Sequence, residues 1–186
     1  MGRLVVNNAM SVNGAFEAPQ PEPDGWLLFD PDSNQVSLEQ FYAADAMVLG
    51  RKTYEGLAAV WPTLVDVPGF GAFAERMNSM PKYVASTTLQ APLGWNATLL
   101  EGDLAESITR LKDEHDRTLV AVGAGELTKS LIDADLVDEF WFWLSPAVWP
   151  EGPRILDGVG PIRLELIGAT TFTSGVVRLA YRPRPD

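Results

Sequence analysis

Short apolar runs recur along this chain, each closed by glycine, proline or hydroxyl residues, with segments of helical spacing between them. "RLVVNNAM" (Arg3 to Met10) predicts a buried strand. The polar section that follows, "SVNGAFEAPQPEPDGWLLFDPDSNQ", holds four prolines and two glycines and reads mostly as loop. "SLEQFYAADA" has helical character, with Ser37 as N-cap and Gln40 three residues on. "AMVLG" is a strand and "RKTYEGLAAV" a helix, and Asp66 to Met80 is a loop running into a short helix. "PKYVAST" and "ATLLEG" are strands. "DLAESITRLKDEHD" is the clearest helix: Asp103 with Glu106 fits a capping box, and Leu104, Ile108 and Leu111 form one apolar stripe. "TLVAVGAG" is a strand ending in glycines, "ELTKSLIDADL" a helix and "VDEFWFWLSPAVW" a long aromatic strand. "IRLELIGATTFTSGVVRLAYRP" reads as a hairpin turning near "TSG". Alternating strands and helices closed by a hairpin predict a three-layer α/β domain, with a mainly parallel sheet and an antiparallel C-terminal edge. No stretch reads as an interdomain linker, so residues 1–186 are expected to form one domain.

Composition narrows the function. The apolar fraction of 46 % and charged fraction of 21 % are ordinary for a globular protein. No apolar run reaches the length of a transmembrane helix, and the N-terminus lacks signal-peptide features. Cysteine is absent, which excludes disulfides and thiolate chemistry. The expectation is a cytoplasmic protein. A formal charge of -11 argues against nucleic acid and anionic membranes as partners. A small anionic ligand needs only a local positive pocket.

"LGRKTYEGL" offers such a pocket. Two cations and a hydroxyl, Arg51, Lys52 and Thr53, follow Gly50 where a strand becomes a helix. "VAS-TT" ends another strand in Ser86 and Thr87, and "AVGAG-EL" leads into a helix through Gly123 and Gly125. In open α/β sheets ligands bind beyond the carboxyl ends of strands. Helix N-termini there present free N–H groups and partial positive charge, which suit phosphate. Three such ends in one sheet suit a ligand with several phosphates, such as a dinucleotide. Taken singly, each also reads as a plain strand end or a solvated helix start.

"LGRKTYEGL" and "RLVVNNAMSVNGAF" resemble segments of dihydrofolate reductase. "VAVGAGELTKSLIDADLVDEFWFWLSPAVWPEGPRIL" and "FTSGVVRLAYRP" resemble still more closely the reductase domain of the riboflavin-biosynthesis deaminase-reductase. The resemblance spans nearly the whole chain and is poorest in residues 15–37 and 61–80. It implies a dihydrofolate-reductase-like fold with NADPH as cofactor. By that resemblance Arg51, Lys52 and Thr53 sit at the cofactor phosphates, and Ser86 and Thr87 near the adenosine 2′-phosphate. Gly123, Ala124, Gly125, Glu126 and Leu127 line the pyrophosphate and nicotinamide side, with Asn8 and Ala9 bordering the nicotinamide. The family has two glycines joined by a cis peptide at this turn; here the pair is Gly123-Ala124. The family often forms homodimers.

Dihydrofolate reductases also use a carboxylate on the helix after the long loop, and its position falls near Asn34. Asp30 is the favoured stand-in, because "WLLFD" sets it beside apolar side chains that raise a carboxyl pKa, and Asp32 is the alternate. Both also read as turn residues in "DPDSN". The riboflavin-type aspartate corresponds to Leu57, which argues against that pathway's substrate. Glu55, also in this segment, is expected to cap or brace its helix rather than donate protons. Trp26 and Phe29 are candidates to stack a flat heterocycle, or packing anchors. With one histidine, His115, in charged "KDEHD", and no cysteine, a zinc site or Ser-His-Asp triad is not expected. No metal is called for. The leading expectation is an NADPH-dependent reductase acting on a small conjugated or heterocyclic molecule. The alternatives are a ligand-binding domain without turnover and a structural homodimer.

Overall fold

The computed structural model describes residues 1–16 and 31–184. Chain contacts divide it into two compact units, each built from separated stretches: Met1–Leu4 with Ser37–Gly123, and Val5–Val36 with Ala124–Asp186.

The first unit carries the parallel ladder β4-β3-β2-β5, formed by β2 (Ala44–Gly50), β3 (Lys82–Ala85), β4 (Ala97–Leu99) and β5 (Thr118–Val122). Met47, Val48, Leu49, Val84, Leu119 and Val120 are buried along it, so these strands read as continuous apolar runs rather than alternating ones. The helices between them are α2 (Arg51–Val60), α3 (Gly71–Ser79) and α4 (Leu104–Glu114). The capping box of α4 forms as expected: Asp103 Oδ1 accepts from the Glu106 N–H at 3.0 Å. Ile108 and Leu111 of its apolar stripe are buried.

The second unit carries β1 (Arg3–Ser11, from Val5 onward), β6 (Glu139–Ser145), β8 (Val177–Pro183) and β7 (Leu164–Thr171), in the order β1-β6-β8-β7. β1 and β6 are parallel, whereas β8 runs antiparallel to both β6 and β7. The expected hairpin is present, and Gly175 at its turn takes φ +87°. Trp141, Phe142 and Trp143 are all buried. Trp143 stacks on Phe172 at 5.8 Å, and the Arg178 guanidinium lies over both indoles, at 5.1 and 5.8 Å. α5 (Glu126–Asp133) also belongs to this unit. The fold class is the expected one: α/β, mainly parallel, with an antiparallel C-terminal hairpin.

One element differs from the sequence reading. α1 spans Pro31–Ala43, so Ser37 lies inside it rather than at its N-cap, and β2 begins at Ala44. Residues 31–34 open this helix instead of turning: proline is suited to the first helical position, and Asp32 sits favourably in the first turn.

Lys82 is 1 % exposed, unusual for a lysine. Its Nζ donates to the carbonyls of Asn78 (3.1 Å) and Met80 (2.8 Å), at the C-terminal end of α3. The ammonium also lies 4.2 Å from the Trp95 ring centroid. A cation is favourable at a helix C-terminus and over an indole face. No carboxylate among the described residues bonds it, and burial, reinforced by the Arg76 charge, pushes its pKa down to about 8 from 10.5. Below pH 8 both folded and unfolded chains hold this proton. Between about pH 8 and 10.5 only the unfolded chain holds it, so this lysine's contribution makes stability rise with pH across that window. Denaturant melts of the wild type and Lys82→Met should therefore show the wild type gaining stability relative to the variant from pH 8 to 10. Parallel pH profiles would refute the depressed pKa.

Candidate cofactor site

In the first unit the register sets three strand ends nearly level. Gly50 pairs with Ala85, and Leu49 with Val122. The residues that follow are Arg51 on α2, Ser86 and Thr87 after β3, and Gly123 after β5. Within this unit the strand order thus sets the ends of β2, β3 and β5 side by side.

The first turn of α2 is open to a ligand. Gly50 is its N-cap in extended conformation, and no side chain caps the helix. The N–H groups there have no intrahelical acceptors, and the helix dipole adds partial positive charge. Arg51 and Lys52 are exposed. Arg51 Nη1 pairs with Glu55 at 3.1 Å, one turn on, so Glu55 braces the helix as expected. At this exposure the pair contributes little to stability.

Thr53 and Gly123 fix how closely β5 meets α2. A Cβ at Gly123 would overlap the Thr53 hydroxyl, and Gly123 also holds φ +98°, where side chains are strained. Two constraints therefore require glycine at one position. At the turn after β5, Gly123 and Gly125 hold φ of +98° and +103°.

Ser86 makes local bonds at its strand end. Its Oγ accepts from the N–H groups of Thr88 (3.1 Å) and Leu89 (3.0 Å), and so organises the turn that displays Thr87, which is exposed. A Ser-x-x-Leu step after a strand is compatible with such a hydroxyl-closed turn, so the signal was present in the sequence.

The second unit holds the other predicted residues. Gly125 precedes α5 with φ +103°, and a Cβ there would meet nothing within 4 Å. Its backbone is therefore open to a close approach. A cavity of about 160 Å³ lies against Gly125 and Glu126 and is also lined by Lys129, Arg154 and Asp157. The Arg154 guanidinium donates to the carbonyls of Pro150, Glu151 and Gly152, and Arg154 N–H donates to Asp157. Lys129 and Arg154 were not singled out from sequence; "PEGPRIL" gave only a proline-containing loop. Ala124 and Leu127 are half-buried, as is Ala9, which pairs with Trp143. Asn8 is buried and pairs with Phe142. A larger open groove of about 620 Å³ follows α4 and contains none of the predicted residues.

The candidate acid Asp32 is exposed in the first turn of α1. Asp30, Trp26 and Phe29 lie outside the described residues. No metal-binding cluster of His, Asp or Glu occurs among the described residues, and none of their helices is long and apolar enough to cross a membrane.

The family model of the RibD C-terminal domain matches residues 3–178. The chain belongs to that family. The uncharacterised protein YyaP of Bacillus subtilis is 29 % identical over 181 residues, covering 96 % of this chain and 94 % of YyaP. Among solved structures, a protein assigned to riboflavin biosynthesis from Shewanella sp. PV-4 superposes with a TM-score of 0.72 at 19 % identity, covering 98 % of this chain and 99 % of that one. Dihydrofolate reductase from Enterococcus faecalis, complexed with NADP(H) and an inhibitor designated RAB-propyl, superposes with a TM-score of 0.64 at 16 % identity, covering 98 % and 97 %. These likenesses give this RibD C-terminal domain a dihydrofolate-reductase-like fold.

The strain at Gly123 is measurable. Gly123→Ala should destabilise the protein by about 1–3 kcal/mol, from the positive φ and the clash with Thr53 together. Adding Thr53→Ala should recover the steric share and leave the backbone share. Full additivity of the two substitutions in denaturant melts would refute the contact.

Proposed function

We propose that this RibD C-terminal domain is an NADPH-dependent reductase acting on a small conjugated or heterocyclic molecule of pterin or pyrimidine type. One observation carries the reading: level strand ends that set an uncapped helix N-terminus, Arg51, Lys52, Thr87 and a mandatory glycine together in a protein of charge -11. In an acidic protein such a cluster suits an anion with several phosphates. NADPH when bound supplies the hydride.

The chain's own residues bind and orient. Arg51 and Lys52 neutralise phosphate charge, and the first N–H groups of α2 donate to phosphate oxygens. Thr53 packs on Gly123 and so holds the helix start in place. Thr87, on the turn closed by Ser86, is the hydroxyl presented toward the 2′-phosphate. Gly125 leaves backbone open for the pyrophosphate, with Ala124, Glu126 and Leu127 beside it, and Asn8 and Ala9 face the nicotinamide. Asp30 or Asp32 supplies the substrate's proton, and Trp26 and Phe29 stack its ring. A cytoplasmic homodimer is the expected assembly.

A second reading has its own support. Asn34 and Leu57 stand where the family's two carboxylates are expected, which fits a nucleotide-binding domain without turnover. Titration with NADPH and NADH, followed by tryptophan fluorescence, tests the shared part first. Preference for NADPH is expected. Arg51→Ala should weaken it about threefold to tenfold, as for a partly exposed charged contact. Glu55→Gln should tighten it, because Arg51 is then released from its 3.1 Å partner. No saturable binding of either nucleotide would overturn both readings. Tight NADPH binding without oxidation across pterins, flavin precursors and quinones would leave only the second.

A further inference from the structure

The cavity beside α5 meets the proposed cofactor path only at its edge, at Gly125 and Glu126. Its volume of about 160 Å³ is close to the roughly 150 Å³ that holds one benzene ring, and well below the roughly 300 Å³ from which pockets take drug-sized molecules. It has room for one six-membered ring and not for two fused ones. Phe16, Pro153, Leu156 and Val159 give it apolar walls.

The loop that closes it is fixed by its own bonds. Ala15 and Arg154 form an antiparallel bridge, and the Ile155 N–H donates to the Gly14 carbonyl at 2.8 Å. The Asp157 and Val159 N–H groups donate to the carbonyls of Arg154 (3.2 Å) and Leu156 (3.1 Å). The cavity is thus built before a ligand arrives, with Leu156 held at φ +69°, a conformation that a bulky side chain rarely adopts.

Lys129 interrupts the apolar lining. It is half-buried on α5, and its ammonium has no hydrogen bond or ion pair with any described residue. Glu126 stands one turn back, where helix charges commonly pair, and Asp157 lines the same cavity, yet neither is bonded to it. Asp157 accepts instead from the Arg154 N–H at 3.1 Å, and the Arg154 guanidinium is engaged by the carbonyls of Pro150, Glu151 and Gly152. Gly158 leaves the Lys129 ammonium uncovered on the loop side, since a Cβ there would come within 3.5 Å of Nζ. An ammonium partly withdrawn from water carries a desolvation cost that a bound anion offsets.

We infer that this cavity receives a single six-membered ring bearing a carboxylate, with the Lys129 ammonium paired to the carboxylate and the ring against the apolar walls. The binding site stands on the cavity itself. That the ring acid is the reductase's substrate rests on the reading above, and narrows it to monocyclic acids.

Benzoate and its neutral counterpart benzamide are the probes, titrated into the isotope-labelled full chain and followed by amide NMR shifts. Benzoate should saturate, move the amides of Gly125, Lys129 and Gly158, and bind about tenfold more tightly than benzamide, as for one hydrogen bond to a charged group. Lys129→Met should bind the two probes alike, and Lys129→Arg should keep the preference. Lys129→Gln gives the same readout should the methionine variant not fold. Pterin-6-carboxylate, with two fused rings, should leave these amides unmoved. No saturable benzoate binding, equal affinity of the wild type for both probes, or a preference that survives Lys129→Met would overturn the inference. So would pterin-6-carboxylate moving the same amides. Benzoate and NADPH bound together would support both the site and the substrate class, whereas displacement of benzoate by NADPH would give the cavity to the cofactor and overturn the substrate class. Benzoate binding in a protein that binds no NADPH would leave the acid site standing and remove the reductase reading.

Discussion

The contact between Thr53 and Gly123 is the constraint on which the candidate site depends. β2 and β5 run parallel with Leu49 opposite Val122, so the residues beyond them must share a narrow space. One is the first turn of α2 and the other is a glycine at φ +98° whose missing Cβ makes room for the Thr53 hydroxyl. A larger residue at 123 would push β5 from α2 or tilt the helix. Either movement would turn the free N–H groups of α2 away from the level strand ends. Backbone geometry, more than any single charged side chain, therefore sets the arrangement of these strand ends.

This also accounts for positive charge in an acidic protein. At physiological ionic strength charges are screened beyond roughly 8 Å, so the net charge of -11 weighs little on a phosphate already seated. What matters there is local: the helix dipole, the uncapped N–H groups and Arg51 with Lys52. Arg51 is already engaged by Glu55, which holds its long side chain over the helix start and offsets its charge until an anion competes. The stretch "GRKT" thus reads as a set of parts with different work: an N-cap, two charges and a contact with Gly123.

Sequence carried most of the architecture because its signals were local. Asp103 with Glu106 announced α4, and "TSG" marked the hairpin turn, since caps and turns are made by neighbouring residues. The start of α1 was misread where one string serves two structures: "DPDSN" suits a turn, and equally a helix opened by proline and aspartate. The three strand ends could be named, but that they lie level follows from pairing register, which distant residues decide. That the Ser86 oxygen also closes its own turn is visible only in the folded chain, although the Ser-x-x-Leu spacing allows it. Arg154 and Lys129 escaped notice because only the folded loop brings them to the cavity beside Gly125.

Two buried polar side chains show a difference that sequence cannot reveal. Lys82 and Asn8 both lie in strands, both are nearly inaccessible, and both are poor choices for an apolar interior. Lys82 is satisfied: it closes the carbonyl end of α3 and rests on Trp95, and its depressed pKa is the residual cost of that arrangement. Its chemistry is complete within the fold, and nothing about it calls for a ligand. The Nδ2 of Asn8 is left incomplete by the same interior. Marginally stable proteins rarely keep a penalty of this size where an isosteric apolar residue would remove it. Burial alone therefore does not tell the two side chains apart; what separates them is whether the fold supplies partners for the buried polar atoms, as it does for Lys82.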